Sequence, residues 1–117
     1  MRKLLIILVI LVLSFTLVAK VKIPNGNLDL TIYPNPMEEA TSISFNIKTA
    51  GYVVLEILDR DKMVVATIVS DYLQIGSYVY EWDRVGNDGS ILNSGHYVIQ
   101  IHKGKRFVTK RKTLILK

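Results

Sequence analysis

The amino-acid sequence predicts an all-β chain folded as an immunoglobulin-like antiparallel β-sandwich of about seven strands. Three observations lead there. Short runs of β-branched and aromatic residues alternate with polar ones, and turn residues recur at roughly ten-residue spacing. No apolar period of about 3.6 residues persists beyond two turns. The clearest stretch is Gly76 to His102, GSYVYEWDRVGNDGSILNSGHYVIQIH. Its first arm sets Tyr78, Tyr80 and Trp82 on one face and Val79, Glu81 and Asp83 on the other. Its second arm sets Tyr97, Ile99 and Ile101 against His96, Val98, Gln100 and His102. Such alternation marks half-buried strands. Asn87-Asp88-Gly89 supplies turn chemistry between the arms, because short Asx side chains and glycine accept positive φ. The arms are therefore expected to pair as one hairpin whose aromatic face the other strands cover. Trp82 is expected on the inner face with Tyr80 and Tyr97 as neighbours. Gly95, just before the second arm, predicts a bulge or a close backbone approach.

The remaining elements follow in order. Lys20 to Asn27 (KVKIPNGN) is a polar connector with Pro and Asn-Gly. Leu28 to Tyr33 predicts a first strand that stops at Pro34-Asn35-Pro36, where the prolines cannot donate to a ladder. Thr41 to Ile47 alternates cleanly, with Ile43, Phe45 and Ile47 inward. Ala50-Gly51 turns the chain into Tyr52 to Leu58, which directs Val53, Leu55 and Ile57 inward. Asp59 to Lys62 is a charged turn, and Met63 to Val69 is a β-branched fourth strand. Ser70 to Leu73 is the one place where a helical turn is expected. Lys103-Gly104-Lys105 turns the chain into a last strand, Phe107 to Leu116.

Residues 1–19 have the layout of an export signal rather than of fold. Met1-Arg2-Lys3 is positive, and Leu4 to Val18 is almost wholly apolar but shorter than the ~20 residues of a membrane span. Ala19 suits the position before a cleavage site, although Leu17 stands where a small residue is usual. Cleavage is the expected outcome, retention as an anchor the alternative; only an uncleaved segment would tie the chain to a membrane. Residues 20–27 then form a linker and residues 28–117 a single domain, large enough to fold without staples. The chain has no cysteine, which excludes disulfides, thiolate-bound metals and lipid attachment through an N-terminal Cys. Charge is uneven. Lys20 to His102 holds 6 basic and 10 acidic residues, whereas Lys103 to Lys117 holds 7 basic and none acidic. Such a basic strand suits a polyanion or membrane-surface contact, or lysines that guard a strand edge against stray pairing.

Chemistry-bearing constellations are missing. His96 and His102 lie on one strand, roughly 20 Å apart at ~3.3 Å per residue, too far to share a metal. Each is expected to face solvent. Asp83, Asn87 and Asp88 lack calcium-loop spacing, and Asx capping of a turn explains them. Ser77, Ser90 and Ser94 have neither a glycine elbow nor a base nearby. No catalytic residue, cofactor or metal is expected. No nucleic-acid partner is expected either, since Phe107 is the single aromatic among the C-terminal lysines and a stacking platform needs more.

Several short motifs, weak singly, recur here in a specific order. They are Tyr33-Pro34-Asn35-Pro36, Ile43-Ser44-Phe45, Gly51 leading into Val53 to Asp59, Gly76-Ser77-Tyr78 with Trp82-Asp83, Gly89, and Ser94-Gly95-His96-Tyr97. The closing Lys112-Thr113-Leu114-Ile115-Leu116-Lys117 is a basic-apolar-Lys ending. In this order the chain resembles the C-terminal sorting domain of the type IX secretion system, found across Bacteroidetes-like bacteria, which shares its Ig-like fold with the flagellar hook-capping protein. Three positions depart from that pattern. Asp59-Arg60-Asp61-Lys62 replaces a glycine-containing turn, Gln74-Ile75 replaces a proline and a small residue, and Arg84 replaces a common glycine.

The resemblance implies a non-catalytic module recognised by outer-membrane secretion or shuttle proteins, exported through the periplasm to the cell surface or medium. It places recognition at Gly76, Tyr78, Gly95, Tyr97, Lys110, Lys112 and Lys117, through strand addition to the last strand and contacts to its basic side chains. The alternatives are a structural or protein-interaction module of an extracellular assembly, hook-cap-like, and a small adhesive or carbohydrate-binding sandwich. An adhesive face would need a row of exposed aromatics, and the sequence offers Tyr52, with Tyr72 expected in a loop. With the export segment running almost directly into the domain, the expectation is a minimal secreted protein, or a remnant or truncated one, with no cargo ahead of the module.

Overall fold

The structure of the chain, a computed structural model, describes residues 28–104 and 110–117. The export segment, the connector and the start of the last strand at Phe107 lie outside the described residues. Alternation along the sequence becomes seven strands: β1 (Thr31–Tyr33), β2 (Thr41–Ile47), β3 (Gly51–Leu58), β4 (Val64–Leu73), β5 (Gly76–Trp82), β6 (Gly95–Lys103) and β7 (Lys110–Leu116). They form two antiparallel sheets, ordered β1-β2-β5 and β4-β3-β6-β7. The fold is all-β, as expected, with the two sheets arranged as an Ig-like sandwich.

Every second residue of the strands turns into one shared core. Ile43, Phe45 and Ile47 of β2 meet Val53, Leu55 and Ile57 of β3, Ile99 and Ile101 of β6, and Leu114 and Leu116 of β7, all buried. Each such side chain contributes about 1.5–3 kcal/mol relative to exposure. Phe45 is the aromatic hub, stacked on Tyr78 at 5.6 Å and on Tyr80 at 5.9 Å. Trp82 is buried at the end of β5, where its indole Nε1 donates to Val85 O at 2.9 Å.

The expected hairpin does not form. β5 pairs with β2, Thr41 opposite Trp82 and Ile47 opposite Gly76, whereas β6 pairs with β3 and β7 in the other sheet. Residues 83–94 cross between the sheets, so the aromatic face of β5 opposes the apolar face of β6 instead of lying beside it. Period-two alternation says which residues face a core, but not which sheet they belong to. Asn87-Asp88-Gly89 does make a turn, but a local one. The Val85–Ile91 bridge and the Gly86 N to Ser90 O bond close it, with φ at +86° on Gly89.

Other boundaries shift with the tertiary context. Ser70 to Leu73 is strand, not a helical turn, because it continues β4 along β3 up to Leu73 opposite Gly51. The first strand is confined to Thr31–Tyr33, although Leu28 and Leu30 are buried ahead of it and Leu28 O accepts from Asn46 N at 2.8 Å. Asp59 organises the charged turn, its Oδ1 accepting from Asp61 N at 2.8 Å and Met63 N at 3.0 Å. Lys62 takes φ of +65° there, a conformation that glycine would hold without strain.

Trp82→Ala should cost about 3–5 kcal/mol, a large share of the stability of a domain this size. Denaturant midpoints will show it, and Phe45→Ala should fall in the same range.

Candidate functional site

The described residues hold no group of three His, Cys, Asp or Glu side chains able to bind a metal. Also among them, no helix is long and apolar enough to cross a membrane. The concentration of unusual chemistry lies instead at one end of the sandwich, around the end of β7. Two prolines leave Asn35 without a sheet partner, and its amide serves β7 instead. Asn35 Nδ2 donates to Thr113 O at 2.8 Å, and Asn35 Oδ1 accepts from Ile115 N at 3.0 Å. Met37 extends the contact with backbone, its N donating to Ile115 O at 2.8 Å and its O accepting from Lys117 N at 2.9 Å. Thr41, buried, fixes this corner through a 2.7 Å hydroxyl bond to Pro34 O. Both X-Pro bonds here, Tyr33-Pro34 and Asn35-Pro36, are cis. The far edge of β7 from Thr113 onward is thus occupied, which removes the expected strand addition there.

Arg84 gathers the same end. Its guanidinium donates to Glu38 O at 2.7 Å, Lys117 O at 2.8 Å and Leu92 O at 3.0 Å, and it reaches Ser94 Oγ at 3.3 Å. The backbone there has φ of +75°, which accounts for a glycine being usual at this position in the resembled pattern. In this chain the arginine offsets that strain with several charge-assisted bonds. A shallow groove of about 400 Å³ opens beside it, lined by Pro34, Pro36, Glu38, Glu39, Ala40 and Lys117. Lys117 Nζ stands 4.0 Å from Glu38 Oε1, an exposed pair of small energetic weight.

The seven expected recognition residues do not form one patch. Gly95 opposes Leu116 and Tyr97 opposes Leu114, near Lys117 at the Arg84 end. Gly76 and Tyr78 sit towards the other end, on the opposite sheet, while Lys110 opposes Ile101 and Lys112 opposes Ile99 along β7. By strand alternation the two lysines share the face of Leu114 and Leu116, yet Lys112 is exposed at the flank. Gly76-x-Tyr78 and Gly95-x-Tyr97 turn out to be one device used twice. Tyr78 Oη donates to Gln74 O at 2.7 Å and Tyr97 Oη to Asn93 O at 2.8 Å, each four residues back. In each case the tyrosine ring lies over the glycine, where a Cβ would meet it at 3.8 and 3.9 Å. With φ of +158° and +154°, both glycines take backbone that other residues rarely adopt. These are tyrosine corners of the kind known in immunoglobulin-like sandwiches.

Three side chains that hold this architecture together were not picked out by sequence reasoning: Asn35, Arg84 and Asn87. Asn87 repeats the edge contact on the far side, its N donating to Val65 O at 2.9 Å and its Oδ1 accepting from Thr67 N at 2.9 Å. A polar amide trapped between two prolines was the available signal for Asn35. Beside Asn87, the Ser90 hydroxyl and N–H hold the Asp88 carboxyl below its usual range. The outer face of the larger sheet carries a polar row. Arg111 Nε donates to Gln100 Oε1 at 2.7 Å, Gln100 Nε2 to Glu56 Oε1 at 2.9 Å, and His102 Nε2 lies 3.4 Å from the same Glu56 oxygen. His96 is exposed, and His102, on the same outer face, is half-buried against that partner. Tyr72 lies in β4, not in a loop, directly opposite Tyr52, and both are exposed. Tyr52 Oη shares a 2.8 Å bond with Ser70 Oγ. Two rings make a pair, not a row.

The family model of the secretion system C-terminal sorting domain matches residues 31–117, and the chain belongs to this family. The type IX sorting-domain resemblance read from the motifs is borne out. Membership implies export towards the cell surface or into the medium. The fold is also that of solved structures at low identity. Dimeric latent PorU from Porphyromonas gingivalis is similar at TM-score 0.62 and 18% identity, over 74% of this chain and 9% of that one. PorZ, a surface component of the type-IX secretion system of the same organism, gives 0.54 and 17%, over 75% and 11%. FlgD from P. aeruginosa gives 0.51 and 18%, over 79% and 78%. The chain thus spans only about a tenth of PorU and of PorZ. No curated protein matches it in sequence.

Asn35→Ala should cost about 1–3 kcal/mol, the sum of two hydrogen bonds, and should speed hydrogen exchange at the Ile115 amide. Asn35→Asp should be worse, because it sets a carboxylate oxygen against Thr113 O. The two tyrosine corners lie in different sheets and share no hydrogen-bond partner. Tyr78→Phe and Tyr97→Phe should therefore each cost about 1 kcal/mol and add within error in the double variant, as thermal or denaturant unfolding will report.

Proposed function

We propose that this chain is a non-catalytic sorting module, exported with loss of its first 19 residues and recognised at the outer membrane by the secretion machinery. The observation that carries the proposal is the fixed presentation of β7. Asn35, Met37 and Arg84 hold the strand and its end in one place, so its basic side chains stand at defined positions along one flank. With the strand's edge occupied from Thr113 onward, recognition works through side chains: Lys110 and Lys112 on the flank, and Lys117 at the groove. Gly76, Tyr78, Gly95 and Tyr97 contribute indirectly, as the corners that keep the two ends in register. Family membership supports a partner within the secretion system, and the similarity in fold to PorZ, a surface component of the type-IX secretion system, fits such a setting.

Lys110 and Lys112 also suit the simpler task of guarding an edge with inward-pointing charge. Experiment separates the two roles. A reporter fused ahead of residue 28 is expressed in a host with type IX machinery, and its surface delivery is measured. Lys110→Glu with Lys112→Glu should abolish delivery while changing stability by less than about 1 kcal/mol, as surface substitutions do. Unimpaired delivery overturns the proposal. Deleting Thr113 to Lys117 is the weaker test, since it also removes buried Leu114 and Leu116 and so unfolds the module.

A further inference from the structure

A two-sheet sandwich has four edge strands, and each edge is a template for another strand unless something blocks it. Three of the four edges here are blocked. β1 is three residues long and runs into Pro34. β7 carries Lys110, Arg111 and Lys112 at one half and the Asn35-Met37 contacts at the other. β4 is met by Asn87 at Val65 and Thr67 and has register shifts against β3, and the Asp71 side chain takes the Tyr72 amide at 2.8 Å.

β5 differs on every count. It is seven residues long, with no proline, lysine or arginine. Among the described residues its backbone is paired on one side only, with β2. Val79 at its centre is 67% exposed and Ile75 just ahead of it 69% exposed. The order of residues is self-complementary about Val79: Ser77-Tyr78-Val79-Tyr80-Glu81. Run antiparallel against itself, it sets Tyr78 opposite Tyr80 twice, Val79 opposite Val79 and Ser77 opposite Glu81, with no like charges facing. Tyr78 and Tyr80 are half-buried and stacked with centroids 6.4 Å apart. The Tyr80 hydroxyl has no hydrogen-bond partner among the described residues, unlike those of Tyr78 and Tyr97.

We infer that the free edge of β5 pairs with β5 of a second copy of this chain, antiparallel and centred on Val79, joining two three-stranded sheets into one of six strands. The interface is isologous, so the same strand serves both sides and the assembly closes at two copies. This pairing is independent of the sorting role: it uses β5, not β7, and can hold or fail whether or not the module is delivered.

The full chain, which has no cysteine of its own, gives a direct test. Residues directly opposite in an antiparallel pair have Cα atoms about 4.5–5.5 Å apart, within disulfide range. Val79→Cys should therefore form a self-linked dimer under mild oxidation in cells expressing the full chain. Ser44→Cys, beside Val79 on central strand β2, should not. Val79 is exposed, so a charged replacement leaves the fold intact. Two differently tagged full chains should co-purify as wild type and lose co-purification when both carry Val79→Lys or both carry Val79→Glu. One copy of each should restore it. A Val79→Cys chain that stays monomeric, or links to another protein in place of itself, overturns the inference. So does co-purification indifferent to Val79→Lys in both copies.

Discussion

The structure depends on how its strand edges are closed, and the side-chain amide of Asn35 is the clearest instance. A carboxamide carries a donor and an acceptor in the geometry of a peptide group, so one side chain can stand in for a strand residue. Flanked by prolines that cannot pair, Asn35 is held where it bonds Thr113 O and Ile115 N of β7. Without that contact β7 would be an edge strand with a free side, and Leu114 and Leu116 would sit at an opening rather than in the core. Asn87 does the same for β4 at Val65 and Thr67. A small sandwich without disulfides thus completes its outer strands with two loop asparagines.

Arg84 joins these edges to the core crossing. The segment from Asp83 to Ser94 must carry the chain from one sheet to the other, and it would be a loose strap on its own. Trp82 ties its start through Val85 O, Tyr97 its end through Asn93 O, and Arg84 links it to Glu38 and Lys117. The same end of the domain therefore holds the crossing loop, the proline corner and Lys117, just past β7, in one hydrogen-bonded unit. That unit fixes β7 relative to the groove at Pro34, Pro36 and Lys117. A partner that reads positions along β7 meets a rigid display, and binding then costs little in ordering.

The division of labour among edges has a functional consequence. Edges that must not pair are blocked by short length, proline, lysine or an amide. The strand that bears the family's ending is among those blocked, which leaves its side chains rather than its backbone open to a partner. The open edge lies on the other sheet, where Glu81 is the only ionisable group on β5 apart from two tyrosines. Two surfaces of different character thus belong to one small domain, a basic flank and a near-neutral strand edge.

Sequence determined most of what depends on local period and turn chemistry. Ile43, Phe45 and Ile47, Val53, Leu55 and Ile57, and Ile99 and Ile101 all face inward as alternation requires, and the motif order pointed to the family. Alternation carries only the face of a strand, however, so it could not tell that Gly76 to Trp82 and Gly95 to Lys103 oppose each other across the core instead of pairing. That decision rests on β2, which takes β5 as its neighbour, and on β3 and β7, which take β6. The strand character of Ser70 to Leu73 was equally tertiary, set by pairing with Gly51 to Val54 rather than by its own polar residues. The motifs named Gly76, Tyr78, Gly95 and Tyr97, but not that folding sets the last two near Lys117 and the first two towards the opposite end. The roles of Asn35, Asn87 and Arg84 were not legible, beyond the hint of an amide between two prolines and an arginine in place of a glycine, because their partners are main-chain groups distant in sequence, and only the folded chain brings those groups within hydrogen-bond reach.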